Sequence, residues 1–151
     1  MQSNPSSCPV VRPAGVADVA AMFRVRTSVK ENTLSPEELI GLGITPQAIA
    51  EAVGSAPCAW VAEVDGEVQG FSMVDLEAAC LFAAFVLPER EGQGLGRLLV
   101  EAAETALFER HPVAWLETDA GSRAAGFYQR LGWAFEAGAG GGDVRLVKQR
   151  P

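Results

Sequence analysis

Three glycines alternate with other residues in the segment Glu91–Arg97, whose sequence is EGQGLGR. An ordered glycine costs conformational entropy, so such a cluster indicates a backbone that needs unusual dihedral angles or a close approach to a ligand. The apolar run that ends at Leu87 predicts a buried strand before it, and the leucines that follow predict a helix. Since the first N–H groups of a helix are unpaired and its dipole is positive there, this order predicts an anion site, to which Arg97 and Arg90 can add charge. The alternative is a glycine-rich connection that only lets strand and helix pack.

Two common nucleotide motifs fit this segment poorly. The phosphate loop of nucleoside triphosphatases needs a lysine after its glycines, and the chain has no lysine between Lys30 and Lys148. The dinucleotide fingerprint G-x-G-x-x-G follows the first strand of its fold, whereas Gly92, Gly94 and Gly96 follow G-x-G-x-G after about the fourth strand. Both motifs therefore fit this segment less well than a generic anion site does, and a nucleotide-binding regulatory domain stays open as an alternative.

The composition excludes several other classes of function. With 151 residues, 48% of them hydrophobic, the chain predicts one globular domain over residues 10–151, after a disordered tail over residues 1–9. A net charge of −7 argues against a nucleic-acid partner, and no apolar run approaches the ~20 residues of a membrane span. Cys8, Cys58 and Cys80 fit neither a disulfide framework nor a metal site. We expect a cytoplasmic protein with no metal, no nucleic acid and no membrane among its partners.

The hydrophobic periodicity predicts the element order β-α-α-β-β-β-α-β-α-β-β. Asp65-Gly66 joins two β-rich runs and is typical of a two-residue hairpin turn. Ser35 and Thr45 each precede a proline and predict helix starts. Residues 78–88 lack alternation, which predicts a strand in the middle of the sheet with both faces covered. The helix after this strand implies a right-handed crossover and one parallel strand pair, so the fold class is mixed α/β.

With these elements in place, the chain resembles the GNAT superfamily of N-acetyltransferases. The resemblance covers residues 10–148 and rests on the element order, on FVLPE running into the glycine segment, and on the later GFYQRLGW. The family signature [Q/R]-x-x-G-x-[G/A] aligns with residues 91–96, where Glu91 stands in place of the usual Gln or Arg. The resemblance implies a central, mostly antiparallel sheet of six to seven strands with one parallel pair, flanked by about four helices.

The resemblance also implies that acetyl-CoA is the cosubstrate. Its pantetheine arm would pair, like an added strand, with backbone groups of Phe85, Val86 and Leu87, in a space where this strand and the next splay apart. A backbone N–H near Val86 would polarise the acetyl carbonyl. An asparagine common in the family seven residues before the tyrosine is Gly121 here. The amides that would hold the pyrophosphate belong to Gly92, Gln93, Gly94, Leu95, Gly96 and Arg97.

An amine attacks a thioester only as the neutral base, and an amine of pKa ~10.4 is neutral in about one molecule per thousand near pH 7. The resemblance implies that a carboxylate, often through water, takes the proton. Glu77 is the preferred candidate because it lies just before the cofactor strand, with Asp75, Glu31 and Glu117 as alternatives. Tyr128 aligns with the family's general acid, which would protonate the departing thiolate of CoA; the alternative is an aromatic residue of the core.

These expectations combine into an N-acetyltransferase that moves an acetyl group from acetyl-CoA directly to a primary amine of a small molecule or peptide. The acceptor site is expected near residues 26–43 and the loop before the last strand. The resemblance further implies a homodimer. The alternative function is a non-catalytic acyl-CoA-binding sensor or interaction module. His111, the only histidine, is expected to be a helix cap or a surface group, which argues against a serine-histidine triad.

Overall fold

The structure is a computed structural model that describes residues 8–30, 33–55 and 57–151, so most of the expected tail over residues 1–9 lies outside it. These residues form a seven-stranded sheet and five α-helices. The strands are β1 (Val10–Pro13), β2 (Ala59–Val64), β3 (Glu67–Asp75), β4 (Cys80–Val86), β5 (Val113–Asp119), β6 (Ala134–Gly140) and β7 (Asp143–Gln149). The helices are α1 (Val19–Arg26), α2 (Pro36–Gly41), α3 (Pro46–Ser55), α4 (Leu95–Phe108) and α5 (Arg123–Arg130).

The strand order in the sheet is β1-β2-β3-β4-β5-β7-β6. The β4–β5 pair is parallel and the other neighbouring pairs are antiparallel, which confirms the predicted mixed α/β fold and the central position of β4. Three α-helices precede β2, one more than the predicted order has, although the starts of α2 and α3 at Ser35 and Thr45 were both predicted. The reason is local: the Ser35 side chain accepts from the N–H of Glu38 at 3.1 Å and Thr45 Oγ1 accepts from the N–H of Ala48 at 3.1 Å, so each cap starts its own helix.

The hairpin between β2 and β3 forms as predicted. Asp65 and Gly66 have φ values of 54° and 81°. Two positive φ values in succession are what a type I′ turn requires, and its twist matches that of the flanking strands. The turn therefore follows from two adjacent residues and needs no tertiary contact to specify it.

The sheet carries helices on both faces, which we call the α4 face and the α1 face. On the α4 face, Ser72 of β3 donates its hydroxyl to the Leu99 carbonyl of α4 at 3.0 Å. The helix α5 lies beside α4, where Phe127 packs on Gly96. On the α1 face, α1 packs against β3 and β4. The core fills the space between these layers, and its largest fully buried side chains include Trp133, Met22, Leu39, Leu95, Leu99, Leu107, Leu116 and Leu146.

A buried polar cluster joins α4, β7 and the loop after α5. Glu104 accepts from Trp133 Nε1 and from Lys148 Nζ, both at 2.9 Å. The Lys148 ammonium also donates to the Leu131 carbonyl at 2.8 Å. Because every partner of the Glu104 carboxylate is a donor, its burial is compensated. The cluster holds the end of α5 against α4 and so positions the site on these helices.

Among the described residues, no helix combines the length and apolar character that a membrane crossing requires. The same residues contain no group of three or more His, Cys, Asp or Glu side chains placed to hold a metal ion. Cys8 is exposed, whereas Cys58 and Cys80 are buried.

Candidate active site

The strands β4 and β5 separate soon after they meet. Their parallel pairing consists of one register pair, Cys80 with Trp115, supported by the Trp115 N–H to the Ala79 carbonyl at 3.0 Å. Within the described residues β4 continues along β3 and β5 continues along β7, so the space between them widens toward the carboxyl ends of both strands. We call this space the gap; it is the splay that the resemblance implies.

The backbone groups that face the gap follow from the pairing of β3 with β4. The Leu87 N–H bonds to the Gln69 carbonyl at 2.9 Å, so these residues form a hydrogen-bonded pair. Val86 and Ala84 are opposite Gly70 and Ser72 in the intervening, non-hydrogen-bonded positions. In an antiparallel ladder such residues point their N–H and C=O groups away from the partner strand. The polar backbone groups of Ala84 and Val86 therefore point into the gap.

Phe85, Val86 and Leu87 were expected to pair with pantetheine through their backbone. Of these three, only Val86 points its N–H and C=O groups into the gap. Phe85 turns its backbone groups toward β3, and the Leu87 carbonyl accepts from the Arg90 N–H at 2.9 Å. Both polar backbone groups of Leu87 are thus engaged within the protein. Val86 has the backbone orientation that such pairing needs, and Ala84, which the sequence did not single out, has it too.

A β-bulge shapes the same strand. Val74 pairs with Leu81 and Met73 with Ala83, which leaves Phe82 unpaired on β4. Bulges bend a strand and redirect a side chain. Phe82 is 52% exposed, so the expectation that β4 is covered on both faces is wrong at this position. The bulge accounts for this exposure, because it takes Phe82 out of the ladder and redirects its side chain.

The glycine segment turns directly into α4. Gly92 and Gly94 have φ values of 80° and 86°, and Gly94 is the N-cap of the helix. A Cβ on either would meet no heavy atom within 4 Å, so the backbone conformation, and not lack of space, is what requires glycine there. Gly96 differs: a Cβ would lie 3.3 Å from the Phe127 ring. Its role is the close packing of α4 on α5.

The start of α4 has no side-chain cap among the residues that the structure describes. Its N-cap is Gly94, and its first turn carries no acidic residue. The first bond of the helix runs from the Leu98 N–H to the Gly94 carbonyl at 3.2 Å, so the N–H groups of Leu95, Gly96 and Arg97 precede the intrahelical ladder. Unpaired donors at the positive end of a 14-residue helix form a binding site for an anion.

Three charged residues in or beside this segment have partners within the protein. Glu91 accepts from Arg123 Nη2, at the first position of α5, at 3.0 Å. Arg97 Nε donates to Glu101 at 3.0 Å. Arg90 Nε donates to the Gln69 side chain at 3.2 Å. The anion site therefore depends on the backbone amides, and Glu91, which departs from the family signature, is held by α5.

Tyr128 lies on α5, on the α4 face. Ser122 starts the helix by accepting from the Ala125 N–H at 3.3 Å. The Tyr128 ring contacts Phe127 and Trp133 edge-on, with centroid distances of 5.3 and 6.2 Å, and the residue is only 8% exposed. No hydrogen bond to its hydroxyl is found among the described residues, and burial raises its pKa above the ordinary value. The phenol is therefore protonated and can donate a hydrogen bond. Since a buried hydroxyl without an acceptor costs free energy, a ligand atom that accepts from it would be stabilising.

The four candidate bases differ in position. Glu77 is exposed in the turn before β4, beyond the closed end of the gap. Asp75 accepts from the N–H groups of Glu77 and Ala78 at 3.0 and 3.1 Å and so stabilises that turn. Glu31 lies outside the described residues. Glu117 is two residues past Trp115 on β5, where the gap begins to open.

His111, the tryptophans, Cys80 and Gly121 contribute to the structure around the gap and the core. His111 Nε2 contacts the Leu76 carbonyl and ties the end of α4 to the turn before β4. Trp60 and Trp133 are core residues, whereas Trp115 is half-buried beside the gap. Burial raises the pKa of Cys80 to about 11, so its thiol is protonated and unreactive at neutral pH. The Gly121 N–H donates to Asp119 Oδ1 at 2.8 Å.

A family model described as an acetyltransferase (GNAT) domain matches residues 55–134. This chain belongs to the GNAT acetyltransferase family. The matched segment of the GNAT domain runs from the end of α3 to the start of β6 and contains the gap, the glycine segment and Tyr128. No curated protein sequence matches the chain.

Solved structures share the GNAT fold over nearly the whole chain. The PaiA N-acetyltransferase of Thermoplasma acidophilum, solved in complex with coenzyme A, is 17% identical with a TM-score of 0.81, covering 95% of this chain and 99% of its own. Ard1 of Thermoplasma volcanium is 14% identical with a TM-score of 0.73, covering 95% and 98%. The ribosomal-protein-S18-alanine N-acetyltransferase of Escherichia coli is 18% identical with a TM-score of 0.71, covering 94% of both chains. At these identities the likeness establishes the fold.

Proposed function

We propose that this GNAT acetyltransferase moves the acetyl group of acetyl-CoA to a primary amine of a small molecule or peptide, by direct transfer in a ternary complex. The observation that carries the proposal is the gap between β4 and β5, which opens toward the uncapped start of α4. A ligand with a diphosphate at one end and a thioester at the other matches this arrangement. The diphosphate would meet unpaired amides, and the thioester arm would lie along an unpaired strand edge.

The chain's own donors and acceptors fit acetyl-CoA. The backbone groups of Ala84 and Val86 would pair with the amides of the pantetheine arm, as a neighbouring strand would. One of their N–H groups would also hold the negative charge that develops on the acetyl oxygen. The amides proposed to hold the pyrophosphate belong to Gly92, Gln93, Gly94, Leu95, Gly96 and Arg97.

The two sheet faces support direct transfer. Tyr128 and the start of α4 are on the α4 face, where CoA would enter, whereas Glu117 is on the α1 face. The amine nitrogen would attack the acetyl carbon, and the carbon–sulfur bond would break. Tyr128 would give its proton to the thiolate, and Glu117, through water, would take the proton from the amine. The gap lets both reactants meet through the sheet.

We propose Glu117 as the base instead of Glu77. Glu77 sits beyond the closed end of the gap, whereas Glu117 sits where the gap opens. A base must come within hydrogen-bond reach of the amine, directly or through one water, and position along β5 favours Glu117. The cytoplasmic location and the homodimer stay predictions from the sequence.

The first experiment separates catalysis from sensing. Acetyl-CoA binding is measured by calorimetry and by the rise in melting temperature, and thiol release is then followed across a broad panel of amines. Binding together with amine-dependent release supports the enzyme. Binding with no release across the panel supports the acyl-CoA sensor, and an absence of acetyl-CoA binding refutes both.

The Tyr128→Phe variant tests the acid. Loss of the hydroxyl is expected to lower turnover by ~10-fold or more while acetyl-CoA affinity changes little, because the hydroxyl acts on the leaving group. The fold should tolerate the change, since no described residue bonds to this hydroxyl. Phe127→Leu, on the same helix but without a polar group, is the control for altered packing. Unchanged turnover in Tyr128→Phe would remove Tyr128 from the mechanism.

A further inference from the structure

Building on the proposed function, we propose that the acceptor is a small amine that also carries a carboxylate, such as an α-amino acid. We assign the recognition of that carboxylate to Arg145 on β7. Glu117 would receive the amine and Arg145 the carboxylate, so that the ion pair between them matches a zwitterionic ligand. Four features of the structure lead to this assignment.

The first feature is position. Glu117 and Arg145 are directly opposite each other on β5 and β7. Three positions along the same two strands, Ala114 is opposite Lys148. The Lys148 ammonium donates to Glu104 of α4, so the Lys148 side chain lies on the α4 face. Side chains of odd and even residues on β5 point to opposite faces, which puts Glu117 and Arg145 on the α1 face, where the acceptor would enter.

The second feature is unused bonding capacity. Arg145 Nη2 and Nε donate to the same oxygen of Glu117, Oε2, at 2.9 and 3.3 Å. Within the described part of the chain, Glu117 Oε1 and Arg145 Nη1 take part in no further hydrogen bond. The two side chains are 39% and 38% exposed. A ligand can therefore reach one acceptor and several donors without first breaking the pair.

The third feature is preorganisation. The Arg145 guanidinium lies over the Trp115 ring, 4.0 Å from its centroid. Trp115 is itself held by its Nε1 donating to the Ala78 carbonyl at 2.7 Å. A planar guanidinium fixed by stacking loses little entropy when it binds a carboxylate through two parallel bonds. The stack thus suits a carboxylate better than a neutral group.

The fourth feature is local charge. On the β4 side of the gap, the Arg26 guanidinium lies over the Phe85 ring on the α1 face, 4.4 Å from its centroid. Two arginines thus flank the acceptor side of the gap in a protein whose net charge is −7. The Glu117 carboxylate balances the Arg145 charge, so this side of the gap offers groups of both signs, which favours an acceptor that carries both an ammonium and a carboxylate.

The test compares matched acceptors. For several amino acids, kcat/KM is measured for the free acid, its carboxamide and the corresponding decarboxylated amine. These three share the side chain and differ in the carboxylate. The wild-type protein is expected to prefer the free acid by about 10-fold or more, the usual scale of one charge-assisted contact. Equal or better use of the carboxamide and the decarboxylated amine would overturn the inference.

Three variants assign the preference to Arg145. Arg145→Gln is expected to reduce the ratio of free acid to carboxamide toward one, and Arg145→Lys to leave an intermediate ratio, because an ammonium keeps the charge but not the planar fork. Arg110→Gln, an exposed arginine at the end of α4, makes the same charge change and should leave the wild-type ratio. An equal loss for both acceptors in Arg145→Gln would show that the residue only stabilises the sheet, which refutes the assignment.

The outcomes separate this inference from the proposed function. If no acetyl-CoA binding or no acetylation of any amine is found, both fail. If neutral amines are acetylated without a preference for carboxylates, only the inference fails. Melting temperatures with and without acetyl-CoA show whether Arg145→Gln is folded; if it is not, the wild-type ratio and Arg145→Lys still decide.

Discussion

Gly70 on β3 is the position where a single added methyl group should disturb both the fold and the gap. A Cβ built there lies 2.9 Å from the Phe85 carbonyl oxygen, 3.0 Å from Leu99 Cδ1 and 3.2 Å from Val86 Cγ2. The first contact is to backbone, and Leu99 is fully buried, so neither can move away easily. Gly70→Ala must therefore push β4 away from β3 next to the groups that face the gap.

The size of the effect follows from two opposing terms. Overpacking a core costs about 1 to 3 kcal/mol, and the upper half of that range applies here because the nearest contact is backbone. Replacing glycine lowers the entropy of the unfolded chain, which returns about 0.4 to 1 kcal/mol. The net loss in unfolding free energy is about 1 to 2.5 kcal/mol, which corresponds to a melting temperature about 2 to 10 °C lower for a chain of this length. Because Phe85 and Val86 move, the affinity for acetyl-CoA should also fall. The fall is about 5-fold for each kcal/mol of binding free energy that is lost.

Urea unfolding and calorimetry with acetyl-CoA measure the two effects. Adding Val86→Ala to Gly70→Ala should recover less than half of the stability, because the backbone contact to Phe85 remains. Gly138→Ala is the matched control, since a Cβ there meets no heavy atom within 4 Å and φ is not positive. If Gly70→Ala were as stable as the control and bound acetyl-CoA like the wild type, the close approach of β3 and β4 would be refuted.

Three further predictions concern other parts of the fold. Gly94→Ala should cost about 1 to 2 kcal/mol of unfolding free energy, because φ is 86° there although space is open. Glu104→Gln should cost about 2 kcal/mol or more, because the half-buried ammonium that it pairs with loses its counter-charge. Hydrogen bonds from Arg12 lower the pKa of Asp18 in the folded protein. The ionised Asp18 therefore stabilises the fold fully above ~3.9, the pKa of an aspartate in the unfolded chain. This stabilisation is lost as the pH falls through the lower pKa of the folded state. Asp18→Asn should flatten that fall.

Each of these has a direct check. A Gly94→Ala variant as stable as Gly138→Ala would contradict the role given to backbone conformation. Glu101→Gln, which breaks an exposed pair, should cost less than about 0.5 kcal/mol in the same urea titration; an equal cost for Glu104→Gln would mean that burial adds nothing. For Asp18, the unfolding free energies of the wild type and of Asp18→Asn are measured between pH 5 and pH 2. If both fall equally with pH, the ion pair between Asp18 and Arg12 is not the cause of the acid sensitivity.

The sequence predicted those parts of the fold that depend on neighbours along the chain. Asp65-Gly66 adopts the turn expected of that pair, and Ser35 and Thr45 cap the helices that follow them. The central place of β4 also followed from its unbroken apolar run. These features depend on dihedral preferences and on hydrogen bonds that span three or four residues, so local composition is sufficient.

The candidate site could be predicted only in part. The glycine segment was recognisable because positive φ and a helix start both leave marks in composition. The orientation of Ala84 and Val86 was not, because it depends on which β3 residues they oppose. The bulge at Phe82 left no mark either, since the apolar run passes through it unbroken. The choice of Glu117 over Glu77 required the position at which β5 leaves β4.

By itself the sequence determined the order of the elements, the turns and caps that bound them, and the glycine-rich start of α4. Only the tertiary structure decided that β4 and β5 part after one register pair, that Glu91 pairs with Arg123, and that Arg145 stacks on Trp115 beside the gap. The physical reason is range: the first group rests on interactions within a few residues, whereas each of the second joins segments about 30 or more positions apart, whose meeting depends on how all the strands and helices pack together.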